Sequence, residues 1–506
     1  MQQKFSKHMR AFPSGELLEL SGNLGKPADF TWRDYLLMLL KIDAGIEHGL
    51  MVQYLYAAYS LGGDQVPEDQ RDRVRRWQQT ILSIAKEEMG HLMTVQNVIT
   101  CMGGAVSLDR EDYPWDHEFY PFPFELEPLT LDSLAKYVYT EAPLGWGEQE
   151  SETKALTQAI KQHKEGILKR VMEGKIPPRP DVKSVAALFK VVLEIIKDPA
   201  RISDDDFHPE TFAQQASWGA WARNHGQVSG EDATDELSDG SQPKKPRTCP
   251  TTADVIVVPV ATRDDVINAL EQVAEQGEAA HSSAEKSHFA RFLHIYEEFS
   301  RHFPENSERQ PVHPQAQPAR DLPINPSSLG KLKRQDGDMA ARNTPIKNKL
   351  TCEWASLFDL RYRLLLTYLT HTFRLARGTN PNKGAGTYQA LTHRTFGEMY
   401  NLKALAEILV RAPLDEPGQP FKPAGPTFQM PYTLELPENA VSCWLQYRDI
   451  LDASENVRLA IRDLAGNKLT HSEQQYLAAM ANADRETERW LETVMEAAKV
   501  ASAVES

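Results

Sequence analysis

The sequence predicts an all-α chain organised around a four-helix bundle, with long loop insertions and additional C-terminal helices. Three observations carry this expectation. Apolar residues recur at helical spacing along most of the 506 residues. A carboxylate and an imidazole stand three positions apart on an apolar stripe at Glu88 and His91, and the spacing repeats at Glu285 and His288. The one strand-like run, 255–258, reads equally as an extended entry into a helix.

Taken in order, Leu36, Leu40, Asp43, Glu47, Leu50, Tyr54 and Leu61 follow steps of three, four or seven. That spacing places Glu47 on the buried stripe of a first helix over about 31–61. A second helix over about 67–102 is stopped by Gly103 and Gly104, giving an antiparallel hairpin. Residues 109–130 are rich in proline and aromatics and predict an ordered loop capping the bundle. Its Trp115, Phe119, Phe122 and Phe124 suit either a cover or the wall of an aromatic pocket. Helical pattern returns over 131–139, 150–172 and 182–197. A helix over about 262–275 is expected to break at 277–281 and resume near 284.

The expected organisation is a bundle over 1–310 with an insertion at about 228–252, and a Pro-rich extended connection over 311–350. Helices over 352–377, 388–411, 440–465 and 472–500 then form a C-terminal region, 351–506, packing on the bundle.

Composition narrows the function. A net charge of -15 argues against nucleic-acid partners held through phosphate contacts. No Gly-rich phosphate loop follows a strand, which leaves nucleotide cofactors without support. Four scattered cysteines fit a reducing, cytoplasmic setting, and no apolar run predicts an export signal or membrane span.

Charged groups on an apolar stripe need pairing, protonation or a metal. Residues three and four apart share a helix face, so Glu88 and His91 can converge on one ion. Glu47, Glu88, His91, Glu285 and His288 are therefore candidate metal ligands, and carboxylate with imidazole and no thiolate suits iron or manganese. Glu87, four before His91, is an alternative to Glu88. Asp43 can orient a ligand histidine. His48 lies off the Glu47 stripe and is not counted as a ligand. Tyr54 is a candidate catalytic or substrate-facing residue, or simply core. Glu486, Glu488, Glu492 and Glu496 predict a solvated helix face, and His393 and His471 receive no role.

Several stretches together resemble the ferritin-like iminophenyl-pyruvate dimer synthase family, which includes the ferritin-like parts of the violacein and rebeccamycin bisindole synthases. They are Ile46-Glu47-His48 with Gln53-Tyr54-Leu55, Glu87-Glu88-Met89-Gly90-His91 with Asn97, Glu275-Gln276-Gly277-Glu278, and Ser287-His288-Phe289-Ala290-Arg291-Phe292, with a weaker echo in 424–428. The resemblance implies a ferritin-like four-helix bundle holding one or two iron ions. It implies ligands Glu47, Glu88, His91, Glu278 and His288, with Glu278 placed ahead of Glu285. It also implies an oxidoreductase of natural-product metabolism that uses oxygen or peroxide on an amino-acid-derived imine or related aromatic intermediate, with oxidative dimerisation as one outcome. A homo-oligomer is compatible.

One departure bears on this. Where the family's third helix carries Glu, this chain has Ala187, which cannot bind metal. Glu194, Glu141 and Glu398 are the substitutes considered, the first too far along the helix and the other two expected to be structural or solvated. A mononuclear site, a di-metal oxidase or oxygenase without coupling, and a non-catalytic scaffold with a degenerate site all remain open readings.

Overall fold

The computed structural model describes residues 25–115, 119–143, 146, 154–173, 185–217, 255–278, 287–304, 317–329, 343–375, 385–430 and 434–505. Two compact units are present, one of residues 1–110 and 115–320 and the other of 111–114 and 321–506. Among the described residues no helix is long and apolar enough to cross a membrane.

In the first unit, α1 (Trp32–Ser60) starts at Thr31, whose hydroxyl accepts from the Asp34 amide while the Asp34 carboxylate accepts back from the Thr31 amide. Helix α2 (Arg71–Cys101) is followed by Gly103 at φ 68, a left-handed turn that glycine adopts without strain. The two form the expected helical hairpin.

Along α2, a polar ladder holds the extended segment 255–260. Thr94 Oγ1 donates to the Ile256 carbonyl at 3.1 Å, and Asn97 Nδ2 donates to the carbonyls of Val258 and Ala216 at 2.9 and 2.8 Å. Gly90 makes the close approach possible, since a Cβ there would lie 2.6 Å from the Ile256 carbonyl oxygen. Residues 255–258 are thus the extended alternative and not a strand, their backbone groups being held by side chains of a helix.

The Pro-aromatic loop is core. Trp115, Tyr120, Phe122 and Phe124 are buried, Trp115 and Phe124 pair through their backbones, and Tyr120 stacks on Phe124 with centroids 4.0 Å apart. Only Phe119 of the expected set is half-buried.

Then follow α3 (Leu131–Thr140), α4 (Lys154–Glu173), α5 (Val185–Ile196), α6 (Arg263–Glu278) and α7 (His288–His302). Helix α6 ends at Glu278, inside the stretch where a break is expected, and α7 begins at His288, capped by Ser287, whose hydroxyl accepts from the Ala290 amide. His288 is thus the first residue of α7, and Glu285 lies outside the described residues.

The second unit opens on a short parallel pair, β1 (Pro326–Ser327) with β2 (Thr344–Pro345). Four helices follow: α8 (Lys349–Thr372), α9 (Ala385–Leu409), α10 (Ala440–Ala465) and α11 (His471–Glu505). Inside them Arg361 donates to both oxygens of Glu398 at 2.7 Å and to Asp484 at 2.8 Å, all three side chains being buried. Glu398 is therefore structural, as expected. Glu486, Glu492 and Glu496 lie on the exposed face of α11.

Candidate metal centre

Glu47 comes from the middle of α1, and Glu88 and His91 from successive turns of α2. His288 comes from the first position of α7, and Glu141 from the residue that ends α3. All five are nearly excluded from solvent, with exposures of 5 % or less. Their polar atoms converge. His91 Nδ1 lies 2.9 Å from Glu88 Oε2 and 3.6 Å from Glu47 Oε2. His288 Nδ1 lies 2.9 Å from Glu88 Oε1 and 3.7 Å from Glu141 Oε2. The two imidazole rings stack with centroids 5.3 Å apart, so Glu88 stands between them with one oxygen toward each.

These atoms fit a metal. Glu47 Oε2, Glu88 Oε1 and His288 Nδ1 are buried with no hydrogen-bond partner, as is Asp43 Oδ1, one turn before Glu47. His288 Nδ1 and Glu88 Oε1 lie 2.9 Å apart, so a nitrogen and an oxygen that could both ligate an ion stand side by side. Glu88, His91 and His288 can each offer one atom to a common ion within 4.8 Å of one another. The cavity they line, with Glu47, Glu141 and the apolar Leu50, Val185 and Phe189, has about 20 Å³ of free room. That holds an ion or a water, not an organic molecule.

The electrostatics agree. Burial disfavours charge on His91, yet Glu47 and Glu88 lift its imidazole to about 10. Against the same cost, Glu88, Glu141 and Glu87 raise His288 well above the usual histidine range. Burial raises the carboxyls of Glu47 and Glu141, with repulsion from Glu88 adding to it, and brings Asp43 up to about 8. Buried carboxyls and imidazoles that share charge in this way are groups whose burial a cation can offset.

Each imidazole is held from behind. His288 Nε2 donates to Glu87 Oε2 at 3.0 Å, and both oxygens of Glu87 accept from Arg291, while Ser83 donates to Glu87 Oε1 at 3.1 Å. These partners outweigh the cost of burial and bring Glu87 down to about 2. With its lone pairs so used, Glu87 does not replace Glu88. His91 Nε2 instead faces Gln276 Oε1 at 2.9 Å.

Tyr54 is fully buried, packs against Tyr137 and Phe292, and donates to Glu141 Oε1. It therefore touches a candidate ligand and not open space. His48 turns away from the cluster to the Leu108 carbonyl at 2.9 Å. Glu278 ends α6 but its side chain lies outside the described residues, as does Glu285 entirely. Helix α5 is present where the third helix was expected, with Ala187 on it, yet it gives the cavity Val185 and Phe189, and Glu194 is exposed. Glu141, expected to be structural or solvated, instead faces the cluster, with Oε2 3.7 Å from His288 Nδ1. Its distance in sequence from His288 hid that relation. Arg291 and Gln276 were without assigned roles and Glu87 was weighed only as a ligand, although each lies in a stretch that carries the family resemblance.

Helices α1, α2 and α7 turn carboxylates and imidazoles inward, the arrangement found in ferritin-like bundles. Residues 40–297, just over half of the chain, match the family described as Ferritin-like, and the chain belongs to it. Among curated proteins it is similar to dichlorochromopyrrolate synthase of Lentzea aerocolonigenes, with 31% identity over 134 residues. That match covers 22% of this chain and 13% of the synthase, so the chain corresponds to a small part of that enzyme's length. No solved structure matches.

Proposed function

We propose that the cluster holds two iron ions, manganese being the alternative, and that the protein is an oxidoreductase acting on an amino-acid-derived imine or related aromatic intermediate. Oxidative coupling of two such molecules is the reaction favoured. One observation carries the metal reading: Glu88 presents its two oxygens at 2.9 Å to the Nδ1 atoms of two different imidazoles. One ion would take His91, Glu47 and Glu88, and the other His288, Glu141 and Glu88. Glu278, which follows the cavity-lining Gly277, is a proposed further ligand. Similarity to an enzyme named for the synthesis of dichlorochromopyrrolate supports the natural-product assignment.

Bound iron would supply electron transfer with dioxygen or peroxide as oxidant. The chain's own residues set the conditions. Leu50, Val185 and Phe189 form an apolar wall beside the carboxylates and imidazoles, and the buried Tyr54 hydroxyl donates to Glu141 Oε1. The presence of Glu141 also bears against the degenerate-scaffold reading, which rested on Ala187.

Metal content and spectroscopy after anaerobic reconstitution with Fe(II) test this, comparing native protein with His91→Ala and His288→Ala. Two irons per native chain, with loss in both variants, are expected. No bound iron or manganese, together with no oxidant-dependent turnover of aromatic imino acids, would overturn it. Product analysis separates dimerisation from oxidation without coupling.

A further inference from the structure

The two imidazoles have different supports. His288 Nε2 donates to a carboxylate, Glu87, which is itself clamped by both Arg291 nitrogens and by Ser83. His91 Nε2 meets a neutral amide, Gln276. Glu87 stands next to Glu88 in sequence, so one turn of α2 supplies the oxygens before one imidazole and the oxygen behind it. Arg291 lies one turn beyond His288 on α7. The clamp therefore closes between the same two helices that bring Glu88 to His288.

We propose that Glu87, locked by Arg291, is the positioning residue that fixes Nδ1 as the inward nitrogen of His288, and that this charged support makes the His288 position the tighter of two unequal metal positions. The physical reason is the acceptor. A carboxylate taking the Nε2 proton raises the electron density on the opposite nitrogen and holds the ring in one orientation, and an amide does so less. Such outer partners are worth about 10- to 100-fold in metal affinity. Arg291 serves a separate need. Its two-pronged grip on both Glu87 oxygens fixes the plane of that carboxylate behind the His288 ring. The inference rests on the metal-centre reading above and adds an order of filling to it.

The test is an anaerobic titration of the whole protein with Co(II), whose absorption reports coordination, and with Fe(II), followed by metal analysis. Native protein should fill in two steps. Glu87→Gln should weaken the tighter step by about 10- to 100-fold and leave the weaker one in place. Arg291→Lys, which keeps charge but loses the two-pronged contact, should give a smaller shift of that same step. Adding Glu87→Gln to His288→Ala should change metal binding no further, because the residue acts through His288.

A purely structural role for Glu87 would weaken both steps together, and that result would overturn the proposal. So would two unchanged steps in a folded Glu87→Gln protein. Native protein that takes up neither cation would instead overturn the metal-centre reading itself, and the unequal filling with it.

Discussion

The Tyr54 hydroxyl donates to Glu141, and both side chains are buried between α1, α3 and α7. A helix-stripe tyrosine thus fixes the carboxylate that faces His288. Tyr54→Phe should leave Glu141 Oε1 without its donor and cost about 1–3 kcal/mol, the range for an orphaned buried acceptor. Urea unfolding measures this, and an unchanged midpoint would remove Tyr54 from any role in holding Glu141.

Gly90 is required by the chain that crosses α2. A methyl group placed 2.6 Å from the Ile256 carbonyl must push the 255–260 segment off Thr94 and Asn97. Gly90→Ala is therefore expected to destabilise the first unit by about 1–3 kcal/mol, despite alanine's better helix propensity. Thermal unfolding with α2 amide exchange as readout checks it; a stabilised variant would contradict the close approach.

Metal binding and folding should be linked. Ions that bind the native cluster and not the unfolded chain add about 2.7 kcal/mol at a hundredfold excess over Kd. Native protein should melt at higher temperature with Fe(II) under anaerobic conditions, and a chelator should reverse the gain. His91, held at about 10 by Glu47 and Glu88 against burial, must release its proton to bind, so affinity should fall as pH falls. Calorimetry in buffers of different ionisation heat counts the protons released, and zero release would count against this arrangement.

In the second unit, Arg361 joins Glu398 to Asp484, and Arg458 lies 3.3 Å from the other oxygen of Asp484. Arg361→Ala strands buried carboxylates and should cost about 3–5 kcal/mol. Chemical denaturation reads the loss directly. A change below about 1 kcal/mol would mean that water replaces the guanidinium.

His371 supplies a pH dependence of known sign. Burial, with Arg374 nearby, lowers its imidazole from 6.5 to about 4. As pH falls from 6.5 toward 4 the unfolded chain takes up a proton that the native one refuses, so stability present above that window is lost within it. The contribution is up to about 3 kcal/mol. His371→Gln should flatten the urea midpoint between neutral and acid pH, and an equally steep fall in the variant would exclude this residue as its source.

Much of the fold was legible because it is written locally. Gly103 and the stripe through Glu47 set a helix end and a buried face within a few residues of chain, and the structure keeps them. The start of α7 was less legible, because the cap that sets it, Ser287 before His288, carries no periodic signal of its own.

Sequence by itself determined an all-α chain, the helical hairpin of α1 and α2, and Glu47, Glu88 and His91 on inward faces, because helix periodicity alone selects which side chains share a stripe. Tertiary structure decided the rest. It brought Glu141 from the end of α3 to His288, gave Glu87 to Arg291 and Gln276 to His91, and left α5 to supply an apolar wall. Those choices join residues up to 204 positions apart, and such pairings follow from which faces find each other in three dimensions, something no local spacing encodes.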